Sequence, residues 1–325
     1  MMPARRADGK LVPGSRGGSV EFAAVLWRLI PGPLVRWFAR PYVAGGSLEE
    51  AVDTAAQLAK RDVLATMDLL GEEVRDAEHV RRNVGAYERL VDALAAHPSL
   101  HDGERCASVS IKPSAFTTTG PDEATDPVRA LVRYSAERGV PVTIDMEDRR
   151  WTDWTLDIAE GLYGAGLDVG TVLQTRLNRT REDVERLPEG MRVRLVIGIY
   201  PEPAEVACTD KREMKERMVA YGGRLLERGA RVEFATHDVQ TLERFLRDVA
   251  PVAPDRCELQ MLLGVPRGKF VQRLQAGEYG LKLPVRLYIP FALSWQEATA
   301  YLRRRMRESP GLVWLVLRNL GGRKT

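Results

Sequence analysis

The sequence is poor in the residues that build disulfides and metal sites. Among its 325 residues are three cysteines, Cys106, Cys208 and Cys257, and four histidines, His79, His97, His101 and His237. The cysteines are odd in number, widely spaced and form no C-x-x-C pair, and the histidines show no metal-ligand spacing. We therefore expect neither a disulfide framework nor a zinc site, and a reducing cytoplasm is the natural setting.

A large charge excess and long apolar runs are also absent. The net charge is +3, which does not call for nucleic acid as a partner. The apolar segment Phe22–Val43 is interrupted by charges and prolines, namely Arg28, Pro31, Pro33, Arg36, Arg40 and Pro41. These interruptions exclude a transmembrane helix and argue against a cleaved signal peptide. We favour a short amphipathic helix packed on the body of the protein over a membrane-surface anchor.

What the chain does contain is a regular alternation of strands and helices. Residues 1–18, rich in Gly, Arg and Pro, are predicted to be disordered. Residues 19–61 are predicted to form N-terminal helices, the last of them opened by a capping box of Ser47 and Glu50. Eight strands follow, each with a helix after it, and they are predicted at 63–70, 107–111, 142–144, 172–174, 193–199, 232–235, 258–262 and 285–289. The helix after strand two is expected to start near Pro127, and the last helix at Ser294.

Eight βα units over about 250 residues predict the α/β class and a TIM-like (β/α)8 barrel with extra N-terminal helices. The barrel would be a catalytic domain spanning residues 62–325. An open doubly wound sheet is the alternative fold. It is disfavoured because no G-x-G-x-x-G follows the first strand.

Polar residues gather where the predicted strands end, and these ends form the active-site face of such a barrel. The set comprises Ser110, Lys112, Asp145, Glu147, Gln174, Arg176, Arg194, Gly198, Tyr200, Thr236, His237, Asp238, Gln260 and Tyr288. Lys112 or Asp145 alone could be an exposed residue just beyond a strand. The full set is difficult to explain in that way, and it predicts an active site.

The last helix adds a stripe of four residues on one face, spaced three and four apart: Tyr301, Arg304, Arg305 and Glu308. Two guanidinium groups side by side suit a carboxylate, and the tyrosine offers an apolar wall. A solvated basic face is the alternative, and it is our interpretation of Arg303 and Arg307 on the other side. The stripe predicts a small amino-acid-like substrate.

Taken together, these motifs resemble the proline dehydrogenase family, FAD-dependent barrel enzymes, in its monofunctional bacterial type. The resemblance runs from about Tyr42 to Leu320. It rests on six motifs in order: S-x-K at 110–112, I-D-x-E at 144–147, R-L-V-x-G-x-Y at 194–200, A-T-H-D at 235–238, Q-M-L-x-G at 260–264 and Y-x-x-R-R-x-x-E at 301–308. The segment L-L-G-E at 69–72 is similar as well.

The resemblance implies an FAD in the barrel mouth and the oxidation of L-proline to 1-pyrroline-5-carboxylate by hydride transfer to the flavin. It implies that Arg194 lies near the reactive flavin nitrogen and Gln174 at the pyrimidine edge, with further cofactor contacts from Val196, Gly198, Thr236, His237, Asp238 and Gln260. The substrate carboxylate would bind Lys112, Arg304 and Arg305, with Asp145 and Glu308 holding these cations. The ring would be walled by Tyr200, Leu262, Tyr288 and Tyr301. A quinone acceptor and peripheral contact with the inner membrane complete the expectation.

Four features depart from the family pattern: Ile197 stands where the motif has lysine, Pro201 follows Tyr200, Thr175-Arg176 ends strand four, and Pro113 follows Lys112. Two alternatives therefore stand beside proline oxidation. One is the same flavin chemistry on a different cyclic or N-substituted amino acid. The other is a non-catalytic barrel that binds an amino acid.

Overall fold

A computed structural model describes residues 42–71, 74–103 and 106–299. Its eight strands are β1 (Leu64–Leu69), β2 (Ser108–Ile111), β3 (Val142–Ile144), β4 (Val169–Gln174), β5 (Arg192–Val196), β6 (Arg231–Ala235), β7 (Cys257–Leu262) and β8 (Val285–Phe291). Its α-helices are α1 (Leu48–Ala59), α2 (Ala77–Ala96), α3 (Pro121–Ala136), α4 (Thr152–Gly164), α5 (Thr180–Arg186), α6 (Lys211–Glu227), α7 (Val239–Asp248) and α8 (Gly268–Gln275).

The eight strands form one closed barrel in sequence order, and every neighbouring pair is parallel. The barrel closes where β1 pairs with β8, with Thr66 opposite Tyr288. This topology confirms the predicted (β/α)8 barrel and excludes the open doubly wound sheet. Helix α1 precedes β1 and packs against β1 and β8. The predicted disordered stretch 1–18 and most of the predicted N-terminal helices lie outside the described residues.

Helix starts follow the capping residues in the sequence. The Ser47 hydroxyl accepts the Glu50 N–H at 3.2 Å, while the Glu50 carboxylate accepts the Gly46 N–H at 2.8 Å, one residue earlier than in a standard capping box. Asp76, Asp210 and Asp238 cap α2, α6 and α7 through their carboxylates. The Ser294 hydroxyl likewise accepts the Glu297 N–H, at 3.2 Å, where the last barrel helix was predicted to start.

Several boundaries differ from the sequence prediction, among them the start of β4 at Val169 instead of 172, and two of the differences have a visible physical cause. Helix α3 starts at Pro121 instead of near Pro127, because the Glu123 carboxylate in its first turn binds the hydroxyl and backbone groups of residues 117–119 and fixes the start there. Strand β5 ends at Val196 and does not reach Ile199, since Gly198 adopts a φ of +98° that no strand residue shares.

The barrel wall has an apolar outer face and a polar inner face. Residues such as Met67, Leu195 and Phe234 are fully buried in the core cluster that the strands form with the helices. Their neighbours in sequence point the other way because side chains alternate along a strand. The inner face carries Asp68, Arg194 and other charged groups instead of the branched apolar residues that usually fill such barrels. A polar interior opening at the carboxyl ends of the strands is what positions the site.

No helix in the described part of the chain is both long enough and apolar enough to span a bilayer. Cys106, Cys208 and Cys257 are all buried, and each is a free thiol.

Candidate active site

Lys112 lies just beyond the end of β2 and contacts residues of β1 and β8 and the residue that follows β3. Its Nζ donates to the Asp68 carboxylate and, at 2.9 Å, to the Tyr288 hydroxyl. Asp145 Oδ2 lies 3.8 Å from the same nitrogen. The side chains of Lys112 and Asp68 are 9% and 1% exposed. A buried ammonium is stable only when it is paired and hydrogen-bonded, and these contacts meet that condition.

Arg194, on β5, occupies the middle of the barrel. Its guanidinium donates to Asp145 Oδ1 at 2.7 Å, to Gln260 Oε1 at 2.6 Å and to Ser110 Oγ at 2.9 Å. Since β2, β5 and β7 are not neighbours in the sheet, these bonds run across the interior of the barrel. They hold a residue that is 4% exposed in one orientation.

The Tyr288 hydroxyl connects the two cations. It donates to Asp145 Oδ2 at 2.7 Å and accepts from Lys112. Its ring centroid lies 5.5 Å from Lys112 Nζ and 5.2 Å from the Arg194 guanidinium carbon. Burial, together with the nearby Asp145 and Asp68 carboxylates, raises the pKa of Tyr288 well above its usual value. The phenol therefore keeps its proton and acts as a donor.

The four charged groups of this cluster balance one another. Lys112 and Arg194 supply two positive charges, and Asp68 and Asp145 supply two negative charges. Among the described residues, the cluster thus has oriented donors for a substrate carboxylate, but it carries no net positive charge. The predicted substrate-binding stripe Tyr301, Arg304, Arg305 and Glu308, which would supply that charge, lies outside the described residues.

A second part of the site lies where β4 and β5 end, and it meets the requirements of a flavin. The Gln174 amide donates from Nε2 to the Glu147 carbonyl at 2.7 Å, while its buried Oε1 has no hydrogen-bond partner among the described residues. A Cβ built on Gly198 would fall 2.4 Å from that oxygen and 2.8 Å from Arg176 Cδ. An acceptor in need of an N–H, beside a backbone that only glycine suits, fits the imide edge of an isoalloxazine ring.

His237, just after β6, is held as a neutral imidazole. Its Nε2 accepts the Leu262 N–H at 2.8 Å, so the ring proton resides on Nδ1. Burial and the nearby Arg267 lower the pKa of His237 to about 4. The flanking Thr236 hydroxyl accepts the Asp238 N–H at 3.2 Å. At neutral pH His237 can therefore donate from Nδ1 without carrying a charge.

Comparison with known proteins identifies the family. The family model for proline dehydrogenase matches residues 51–311. Proline dehydrogenase of Deinococcus radiodurans is 31% identical over 281 residues, which cover 84% of this chain and 86% of that protein. Proline dehydrogenase 1 of Bacillus subtilis subsp. natto is 28% identical over 286 residues, covering 87% and 90%. The chain belongs to the proline dehydrogenase family. This is a family of flavin-dependent oxidoreductases, as the resemblance implied.

A solved structure agrees at the level of the fold. Proline utilization A (PutA) from Bdellovibrio bacteriovorus, inactivated by N-propargylglycine, superimposes with a TM-score of 0.74 at 24% identity. The match covers 90% of this chain and 36% of that chain, so this chain spans about a third of the length of the solved protein.

The other residues predicted from the family motifs take varied positions. Val196 and Leu262 are the last residues of β5 and β7, and both are half-buried. Tyr200 lies four residues beyond β5, and its carbonyl accepts from Arg176 Nη1. The Asp238 carboxylate caps α7 through Thr241 and binds Lys215 Nζ at 2.7 Å, so both of its oxygens are engaged within the fold. The cofactor role of Asp238 stays a prediction.

Two buried acids that contact predicted site residues were missed by the sequence analysis. Asp68, 1% exposed, pairs with Lys112, and Glu233, 5% exposed, accepts from the Gln260 amide at 2.8 Å. A sequence pattern could have identified both residues. Each has an apolar residue on both sides in its strand, and it falls on the inward parity of that strand.

Proposed function

We propose that the protein oxidises L-proline to 1-pyrroline-5-carboxylate, with FAD bound in the mouth of the barrel. The observation that carries the proposal is the buried network in which Arg194, Asp145, Tyr288, Lys112 and Asp68 are held in one arrangement at the strand ends. Membership of the proline dehydrogenase family, with curated relatives of that name, supports the choice of substrate and of cofactor.

Substrate binding is assigned to Lys112 of this network and to the cations that the family motifs predict in the last helix. The substrate carboxylate would bind Lys112, Arg304 and Arg305, with Asp145 and Glu308 holding these cations. Asp68 and Tyr288 fix the position of the Lys112 ammonium, so little side-chain entropy remains to be lost when the substrate binds. Tyr200, Leu262, Tyr288 and Tyr301 would wall the ring.

The cofactor is assigned to the β4–β7 side of the mouth. Gln174 Oε1 would accept an N–H of the pyrimidine edge, and His237 Nδ1 would donate. Arg194 would face the reactive part of the ring, with Val196, Gly198, Thr236, Asp238 and Gln260 around the rest. When bound, the flavin accepts the hydride that leaves the carbon next to the proline nitrogen.

The network also bears on the proton of the substrate amine. Tyr288 keeps its own proton, and both Asp145 oxygens are engaged by Arg194 and Tyr288. Neither group can serve as the base without first losing a partner. The substrate amine would therefore have to enter the site already neutral. The rate of flavin reduction should then rise with pH toward the pKa of the amine.

The test is an absorbance scan of purified protein, followed by anaerobic titration. The protein should be yellow, and the flavin bands should bleach when L-proline is added. D-Proline and a linear amino acid serve as controls. A colourless protein that takes up no added FAD, or a yellow one that no amine bleaches, contradicts the proposal.

A second candidate is the same chemistry on another cyclic or N-substituted amino acid. Ile197 favours it. This half-buried apolar residue, just before Gly198, occupies the position at which the family motif has a lysine. The titration separates the two candidates. Bleaching by a ring analogue at concentrations where L-proline has no effect would select the second.

A quinone is proposed as the electron acceptor, with peripheral contact to a membrane. Ile199 is 60% exposed in the loop after β5 and offers apolar surface near the mouth. Turnover should then be faster with a soluble quinone analogue than with oxygen. Co-sedimentation with vesicles of anionic phospholipid tests the contact, and protein that stays in the supernatant contradicts it.

A further inference from the structure

We infer that Glu233 is a positioning residue that acts through Gln260 to set the orientation of Arg194 toward the cofactor. The inference rests on the proposed function, since Arg194 has a flavin to face only if that function is right. Glu233 lies on β6, below the cluster of Lys112 and Asp145, and touches none of the residues assigned to the substrate in the described part of the chain.

The side-chain amide of Gln260 links the two residues. Its Nε2 donates to Glu233 Oε2 and to Glu258 Oε1, both at 2.8 Å, and its Oε1 accepts from Arg194 Nε at 2.6 Å. A carboxylate can only accept, so two carboxylates on one side force the NH2 group to that side. The carbonyl oxygen must then face Arg194, and a flipped amide would place N–H against N–H.

Glu233 is itself held from below. Arg192 Nη1 donates to Glu233 Oε1 at 3.0 Å, which leaves Oε2 for Gln260. Burial alone would favour the neutral acid, but Arg192, Arg194 and Arg286 together hold the pKa of Glu233 below its usual value. The residue is therefore a carboxylate, and it accepts on both sides at once. With Gln260 2% exposed, water is not available to replace either bond.

The substitution Glu233→Gln breaks this logic while keeping the shape of the side chain. A glutamine offers one acceptor and one NH2 group where two donors, Arg192 and Gln260, now point. One of the two donors must face the NH2 group. Arg192 is charged and would lose more from that contact, so Arg192 keeps the acceptor and Gln260 faces the NH2 group. The Gln260 NH2 group then meets another NH2 group at residue 233, so the amide keeps Glu258 as its one acceptor on that side and is no longer fixed in its orientation toward Arg194 Nε.

Affinity for FAD is the readout, measured on apoprotein by quenching of flavin fluorescence. Glu233→Gln should raise the Kd for FAD about tenfold, as expected when an oriented charged contact is loosened. The matched control is Asp168→Asn. Asp168 also binds Arg192, at 2.9 Å, but it is largely exposed and has no bond to Gln260. It removes the same charge from the same arginine, and the Kd should stay within about twofold of the wild type.

A double variant separates positioning from general damage. If Glu233 acts through Gln260, adding Glu233→Gln to Gln260→Ala should change the Kd for FAD by less than about twofold. A full additional tenfold loss in that background would show a merely structural role and overturn the inference, as would wild-type affinity in Glu233→Gln itself.

Glu233→Asp covers the case in which Glu233→Gln does not fold. It keeps the charge beside Arg192 but shortens the reach to Gln260, so FAD affinity should again fall, and unchanged affinity counts against the inference. Protein that binds FAD but is not bleached by proline would contradict the proposed function alone, because the Kd values still report on Glu233. Wild-type protein that binds no FAD overturns both.

Discussion

The upper and lower halves of the barrel interior are both built from arginine and carboxylate, but they differ in how fully these groups are used. In the lower half, Arg286 binds both oxygens of Glu258, at 2.8 and 3.0 Å, and donates to the Ala65 and Cys106 carbonyls at 2.9 Å. In the upper half, Gln174 keeps a buried oxygen without a partner among the described residues. A saturated network closes the barrel, whereas an incomplete one leaves an atom for a ligand.

The difference suggests that arginine–carboxylate pairs stabilise the fold in the lower half of the barrel and position the ligand-binding groups in the upper half. The lower network satisfies itself and the backbone around it, so its loss should be felt in stability. The upper network holds Lys112 and Arg194 in fixed positions near the mouth, so its loss should be felt in binding and reaction. Four predictions, from the largest expected effect to the smallest, test this division.

The largest effect is expected for Arg194→Ala. This change removes the group proposed to face the flavin and leaves Asp145 and Gln260 without their partner. The rate of flavin reduction by proline should fall by about 10²-fold or more, as when an oriented charge is removed from an active site. Stopped-flow reduction under anaerobic conditions measures it, with circular dichroism to check the fold. A folded variant that is reduced at nearly the wild-type rate would remove Arg194 from the mechanism.

The sharpest contrast between the two halves is Asp68→Ala against Arg286→Ala. Each leaves a buried charge without its main partner, so each should lower the free energy of unfolding by about 3 kcal/mol. Denaturation in urea measures both. Only Asp68→Ala releases Lys112, so only this variant should raise the concentration of proline needed for half-maximal reduction by about tenfold. Equal losses of proline affinity in the two variants would contradict the division into halves.

An intermediate effect is expected for Gly198→Ala, with Gly166→Ala as its control. Both glycines have positive φ, +98° and +85°, so both substitutions carry a backbone cost of about 1 kcal/mol. A Cβ at Gly166 meets no atom within 4 Å, but one at Gly198 falls 2.4 Å from Gln174 Oε1. FAD retention on gel filtration should drop for Gly198→Ala alone. Equal retention by the two variants would place the cofactor elsewhere.

The smallest effect concerns pH. The pKa of His237 is lowered from 6.5 to about 4 in the folded protein, so the unfolded chain binds a proton first as pH falls. The contribution of His237 to stability is complete above pH 6.5 and is lost progressively as pH falls from about 6.5 toward 4. Urea denaturation across this window should show it, and His237→Gln should flatten the slope. An unchanged slope in that variant would mean that His237 is not buried as a neutral ring.

Much of this architecture could be predicted from the sequence. Alternating apolar strands and helices were enough to predict the closed barrel, because eight βα units bury their faces best in that form. The strand-end motifs named Lys112, Asp145, Arg194, Gln260 and Tyr288, which the fold brings into one cluster. Element ends were less well predicted than the elements themselves, as at the start of α3, which the Glu123 side chain fixes, and at the end of β5, where Gly198 leaves the strand conformation.

The sequence by itself determined which residue types reach the mouth of the barrel, since strand parity and strand ends are properties of local spacing. Only the tertiary structure decided which residues these side chains pair with. In the local sequence Asp68 and Glu233 are charged residues between apolar neighbours. Their roles become visible only when the fold places Asp68 against Lys112 and Glu233 against Gln260. Partner choice among buried charges depends on distances between strands far apart in the chain, and the chain order alone does not carry those distances.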